Sequence, residues 1–168
     1  MLFKTHLAIG IFAIILFSPL VKDPTTFSII VLIASLIPDI DTAFSKVGRN
    51  IPAKVVQVFT EHRGVLHSLT FCFLITLVIS FFLPKLAFGF FLGYGLHLIA
   101  DSFTKMGITP FWPYSKVAKG LLPVGGVIER GIFFTFALID IMLILVKLVW
   151  WFLYKRTIRV KEYLYTIV

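Results

Sequence analysis

The sequence predicts an all-α polytopic membrane protein: one integral-membrane domain over 1-168, with about five transmembrane or partly spanning helices. Two observations carry this. Of its 168 residues, 59% are hydrophobic and 14% charged, with a mean hydropathy of +1.00. A soluble domain is about half apolar and about a quarter charged, so this chain has too little polar surface to cover itself in water. The apolar residues also gather into five runs, at about 7-21, 27-38, 65-83, 86-100 and 131-153. Nineteen Phe and a formal net charge of +8 suit a chain whose basic ends rest against anionic headgroups. The bases stand singly between apolar runs rather than on one basic face, so membrane lipids are expected as partners and nucleic acid is not. Oligomeric state is left open.

The first run follows Lys4 and has no small-x-small cleavage site after it, so it reads as a retained helix. Lys22-Asp23-Pro24-Thr25 is a tight turn into the second run, with Thr25 or Thr26 as the expected cap. Pro84-Lys85 separates the third run from the fourth. A perpendicular crossing needs roughly 20 residues, so the third and fifth runs are expected to span fully and the others to fall short unless polar ends are included. Cys72 stands alone in an apolar run, which excludes a disulfide or a paired-cysteine metal site. Phe111-Trp112-Pro113-Tyr114 reads as an interfacial aromatic belt, and Trp150-Trp151 with Tyr154-Lys155-Arg156 as the anchor of the last helix. Asp140 and Lys147 lie seven apart on one face of that helix, as an internal ion pair or helix contact would require.

Alternating crossings put the N-terminus and both long polar segments, 39-64 and 101-130, on one side. Nine Lys and Arg fall there against six on the other, which favours a cytoplasmic location for that side. All four histidines and three of the five aspartates fall near it: His6, Asp39, Asp41, His62, His67, His97 and Asp101. Ionisable groups near hydrocarbon are costly and persist chiefly when paired, metal-bound or functional.

The spacings fit a metal centre. His97 and Asp101 are one helical turn apart. Asp39 and Asp41 follow Pro38, where a helix must break. His62 and His67 are five apart, a poor spacing on one helix, so a bend or helix start is expected at Gly64. Imidazole with carboxylate suits zinc first, then manganese or iron, and seven candidate ligands suit one or, better, two divalent ions. Arg63 is placed to clamp an anion, with Glu61 as a candidate base. Ser68 and Thr104 are candidate hydrogen-bonding supports to the ligands. Glu129 is a further candidate base or ligand, though solvation is the more common fate of such a residue.

Thr-His-Leu-Ala-Ile-Gly at 5-10, Leu-Ile-Pro-Asp-Ile-Asp at 36-41, His-Arg-Gly-Val-Leu-His-Ser at 62-68 and Gly-Leu-His-Leu-Ile-Ala-Asp-Ser-Phe-Thr at 95-104 run in register over about two-thirds of the chain. Together they resemble the YdjM-type inner-membrane family of metal-dependent hydrolases. The resemblance implies a helical membrane protein with a His/Asp metal centre on the seven residues above. The pattern is more distantly similar to zinc-dependent phospholipase C and its related nucleases, which implies a phosphodiester or phospholipid substrate. The expected function is therefore metal-dependent hydrolysis of a phosphoester or ester, lipid or small molecule, at the membrane-water boundary. The competing readings are a divalent-metal transporter, or a regulatory or assembly protein that the metal only holds together.

Overall fold

A computed structural model describes residues 1-39 and 65-167, with side chains to residue 158. Five α-helices are described: α1 (Phe3–Phe17), α2 (Pro24–Ala34), α3 (Leu69–Phe82), α4 (Pro84–Ser102) and α5 (Val127–Ile167). No strand occurs among the described residues; two isolated bridges, Thr104 with Leu122 and Ile108 with Ala118, fold the segment after α4 back on itself.

The helix boundaries follow capping chemistry more closely than hydropathy. α1 begins four residues before its apolar run because Lys4, Thr5 and His6 join its first turns, and Thr5 and His6 are buried there. The cap of α2 is Asp23, not Thr25 or Thr26. Its carboxylate accepts from the Thr26 N–H at 3.1 Å and the Thr26 hydroxyl at 2.7 Å, with Pro24 in the first helical position where its missing N–H costs nothing. These two bonds hold the exposed Asp23 carboxyl below the ordinary carboxylate range. The third helix starts at Leu69 rather than Val65, because the Ser68 hydroxyl caps it by accepting from Phe71 N at 3.1 Å.

Two described stretches are long and apolar enough to cross a bilayer, Phe3–Leu20 and Val127–Ile158. This changes the expected spans. The third run forms only a 14-residue helix, about 21 Å long, short of the roughly 30 Å hydrocarbon core. The first gains length from its polar start and from a 3-10 turn at Ser18–Leu20. The last is 41 residues, about 60 Å, so it continues through the basic segment at 155-156 and far beyond any crossing.

α4 is the central element, packed against α1, α2 and α3, while α1 also packs along α5. Ala34, Cys72, Phe90, Tyr94, Leu98 and Ile108 form the apolar cluster between these helices. The α2–α4 contact depends on Gly93: a Cβ there would lie 2.3 Å from the Val31 carbonyl oxygen, so only hydrogen permits that approach. α1 and α5 run in the same direction and are tied at two levels. Near their starts Glu129 accepts from Thr5, and further along Lys147 donates to the Ile15 carbonyl at 2.5 Å. Lys147 thus makes a helix contact and no ion pair with Asp140. Asp140 is buried, and its Oδ1 has no hydrogen-bond partner.

Candidate metal centre

Four of the seven expected ligands converge. Asp39, His67, His97 and Asp101 each offer one ligand atom within 4.8 Å of the others, a group that can hold a metal ion. They come from three places in the fold. Asp39 ends the 3-10 turn Ile37–Asp39 forced by Pro38; His67 lies in the turn before α3; His97 and Asp101 are one turn apart on α4, as their spacing predicts. The Nε2 atoms of His67 and His97 each lie 3.8 Å from Asp39 Oδ1, and 3.8 and 3.9 Å from Asp101 Oδ2. Ligands at about 2.0 to 2.1 Å from a tetrahedral ion lie roughly 3.4 Å apart, so these nitrogen–oxygen pairs are about 0.5 Å from coordination spacing.

A fifth expected residue joins them. His6 lies with Nε2 3.3 Å from Asp101 Oδ1 and 4.0 Å from Asp39 Oδ2, and its ring stacks on His97 at 3.8 Å between centroids. The Met1 amino group also reaches Asp101 Oδ1. Asp41, His62, Arg63 and Glu61, and the bend expected at Gly64, lie outside the described residues.

Burial without partners is the strongest sign of a ligand here. His6, His67 and His97 are at most 1% exposed, yet neither ring nitrogen of His6 or His67, nor Nε2 of His97, makes a hydrogen bond. Leaving buried polar atoms unsatisfied costs about 1 to 3 kcal/mol each, which a coordinate bond would relieve. His97 is oriented for that role. Its Nδ1 lies 2.8 Å from the Ser35 carbonyl, and since a carbonyl can only accept, Nδ1 carries the proton and Nε2 presents its lone pair to the carboxylates. Asp39 is kept ionised: burial pushes its carboxyl up, but the His67 imidazole beside it, with His97 and His6, holds it below the ordinary range.

The supporting contacts differ from those expected. The Ser68 hydroxyl donates to Val65 O at 2.7 Å, and that of Thr104 donates to Asp101 O at 2.8 Å while accepting from Gly107 N, so both bond backbone groups rather than ligand side chains. The reason is local: a hydroxyl at a helix end finds the nearest open backbone group first. Other contacts steady the ligands. The Tyr94 hydroxyl donates to Leu66 O at 2.6 Å, fixing the residue before His67, and Pro110 O accepts from Leu69 and Thr70 N–H, docking the returning loop on the start of α3. Glu129, expected to be solvated, is 1% exposed. It accepts from Leu2 N–H, from the Thr5 hydroxyl at 3.1 Å and from Gly125 N–H at 2.5 Å, so it positions the start of α1, next to His6, and joins no ligand cluster among the described residues. Its signal in the sequence is an acid in the first turn of a helix, where N–H groups are open.

The sequence matches the profile of the YdjM inner membrane protein over residues 1–166. The chain belongs to the YdjM inner membrane protein family. An uncharacterized protein of Bacillus subtilis (strain 168), YvsG, is 35% identical over 95 residues, an alignment covering 54% of this chain and 59% of that protein. No solved structure matches. The membrane setting fits the two long apolar helices of this YdjM chain.

Proposed function

We propose that the protein is an integral inner-membrane hydrolase whose His/Asp cluster holds a divalent metal ion, zinc being the best fit to the donor set, and acts on a phosphoester or ester at the membrane-water boundary. The observation that carries it is the set of buried, unpartnered imidazole nitrogens aimed at two carboxylates. A divalent cation in such a site lowers the pKa of water toward roughly 7 and polarises a phosphoryl or acyl oxygen. The chain's own residues do the rest. Asp39 and Asp101 supply negative charge, His67 and His97 supply neutral nitrogen donors, and the Ser35 carbonyl holds the His97 tautomer. Asp39 is the most open of the four, with its side chain 22% exposed, so substrate is expected from that side. The full five-span topology and a cytoplasmic site belong to this same reading, supported by the charge distribution along the sequence.

One observation favours a second reading. Four protein ligands, three of them almost fully buried, match the closed shell of a structural site, in which the metal would only join helices. One experiment separates the two. The protein is purified in detergent, its bound metals are measured, and phosphodiester, phospholipid and ester substrates are screened for chelator-sensitive turnover beside Asp39→Asn and His97→Ala. Turnover lost in both variants and on chelation supports the hydrolase. Bound metal with no turnover, and melting on chelation, supports the structural role; a metal-free protein indifferent to both substitutions removes the site.

A further inference from the structure

On the far side of the four-residue group lie one buried histidine and a second oxygen of each carboxylate. Asp39 and Asp101 present their oxygens in opposite senses. Oδ1 of Asp39 and Oδ2 of Asp101 face His67 and His97, at 3.8 to 3.9 Å. Oδ2 of Asp39 and Oδ1 of Asp101 face His6, at 4.0 and 3.3 Å. Each carboxylate therefore has one oxygen toward each side, the disposition of a ligand that bridges two ions. His6 is 1% exposed and neither of its ring nitrogens has a hydrogen-bond partner.

We propose that Nε2 of His6, with Oδ2 of Asp39 and Oδ1 of Asp101, binds a second divalent cation, bridged to the first through both carboxylates. The stacking of His6 on His97 sets the spacing. A metal lies in the plane of the imidazole that binds it, so two rings 3.8 Å apart and only 13° from parallel, both with Nε2 toward the same carboxylates, are compatible with ions about 4 Å apart. That is the separation of two-metal hydrolytic sites, roughly 3.5 to 4 Å. The Met1 amino group contacts Asp101 Oδ1 and is displaced when the ion takes that oxygen.

The two positions are unequal. Among the described residues the first has two nitrogen and two oxygen donors, a tetrahedral set, and the second has one nitrogen and two oxygens. With fewer protein donors among the described residues, the second ion is the more weakly held. This assignment rests on the metal-centre reading above.

The test uses the full chain in detergent, titrated with Mn2+ and read by electron paramagnetic resonance, with bound metal per chain measured after gel filtration. Wild type is expected to take up two ions and to show the broadened, exchange-coupled spectrum of a bridged pair. His6→Ala, and His6→Gln as a bulkier variant, should hold one ion with the six-line spectrum of an isolated Mn2+ and unchanged helix content by circular dichroism. His97→Ala should weaken the first ion. One uncoupled ion in wild type, with the same affinity in both His6 variants, overturns the second site and leaves the first standing. Two coupled ions persisting in both variants overturns the role of His6. No ion bound by any form overturns the underlying metal centre as well.

Discussion

Substituting Gly93 by alanine tests how the fold sets the metal centre. The new methyl carbon would lie 2.3 Å from the Val31 carbonyl oxygen and 3.1 Å from both the Ala34 Cβ and the Ser35 nitrogen. A carbon and a carbonyl oxygen approach no closer than about 3.3 Å, so α2 and α4 must part locally by about 1 Å. His97 lies one turn further along α4, and its Nδ1 bond to the Ser35 carbonyl is 2.8 Å. Adding about 1 Å takes that contact beyond hydrogen-bonding range. The overpacking costs about 1 to 3 kcal/mol, and the loss of the contact that orients a ligand typically lowers metal affinity by about 10- to 100-fold. Gly89→Ala is the internal comparison, because its added carbon meets Ile30 and Phe27 at 3.2 Å and needs a shift of only a few tenths of an ångström. Zn2+ affinity by chelator competition, with thermal unfolding followed by circular dichroism, reads both effects. If Gly93→Ala binds and unfolds like wild type, the close approach of α2 does not position His97 and this reasoning fails.

Four further outcomes are expected. Glu129→Gln removes the charge that accepts from Leu2, Thr5 and Gly125 and turns an amide donor toward donors; a loss of about 2 kcal/mol in unfolding stability is expected, and a variant as stable as wild type would show that the clamp is dispensable. Lys147→Met removes one bond to the Ile15 carbonyl, worth about 0.6 kcal/mol for an interhelical contact in a membrane, so its melting curve should move only slightly. Cys72, fully buried, should resist maleimide in the folded protein and react after denaturation in dodecyl sulfate; rapid labelling of the folded form would contradict the packing of α3 against α4. Because the folded Asp23 carboxyl titrates below its ordinary value, its capping bonds contribute fully above the ordinary carboxylate range and are lost as pH falls through the lowered value. Asp23→Asn, an equally good cap, should therefore match wild type at neutral pH and flatten the acid limb of its stability profile.

The candidate site was largely legible because its residues are rare in so apolar a chain. His97 with Asp101 could be read from one-turn spacing, Asp39 from the proline before it, and His6 and His67 from their level in an alternating topology. What supports them was hidden. The Ser35 carbonyl, the Pro110 carbonyl and the narrow contact at Gly93 are backbone features joining residues distant in sequence, and no side-chain pattern announces them. Glu129 was misjudged for a related reason: its partners Leu2 and Thr5 lie more than 120 positions away, so local polarity suggested solvent. The length of the third helix was overestimated because an apolar run does not fix helix length; Ser68 starts α3 four residues inside its run, leaving a helix of 14 residues.

The two ties between α1 and α5 bear on the order of assembly. His67, His97, Asp39 and Asp101 all belong to the first 101 residues, but His6 sits on a helix whose start is held by Glu129 and whose far end is held by Lys147. During synthesis these two residues emerge after every candidate ligand. The cluster can therefore begin to gather early, but the helix bearing His6 acquires a fixed height and rotation only once α5 lies alongside it. Insertion of the last helix is then the step that completes the cluster, and a chain truncated before Glu129 would keep every candidate ligand while lacking the strut that holds one of them in place.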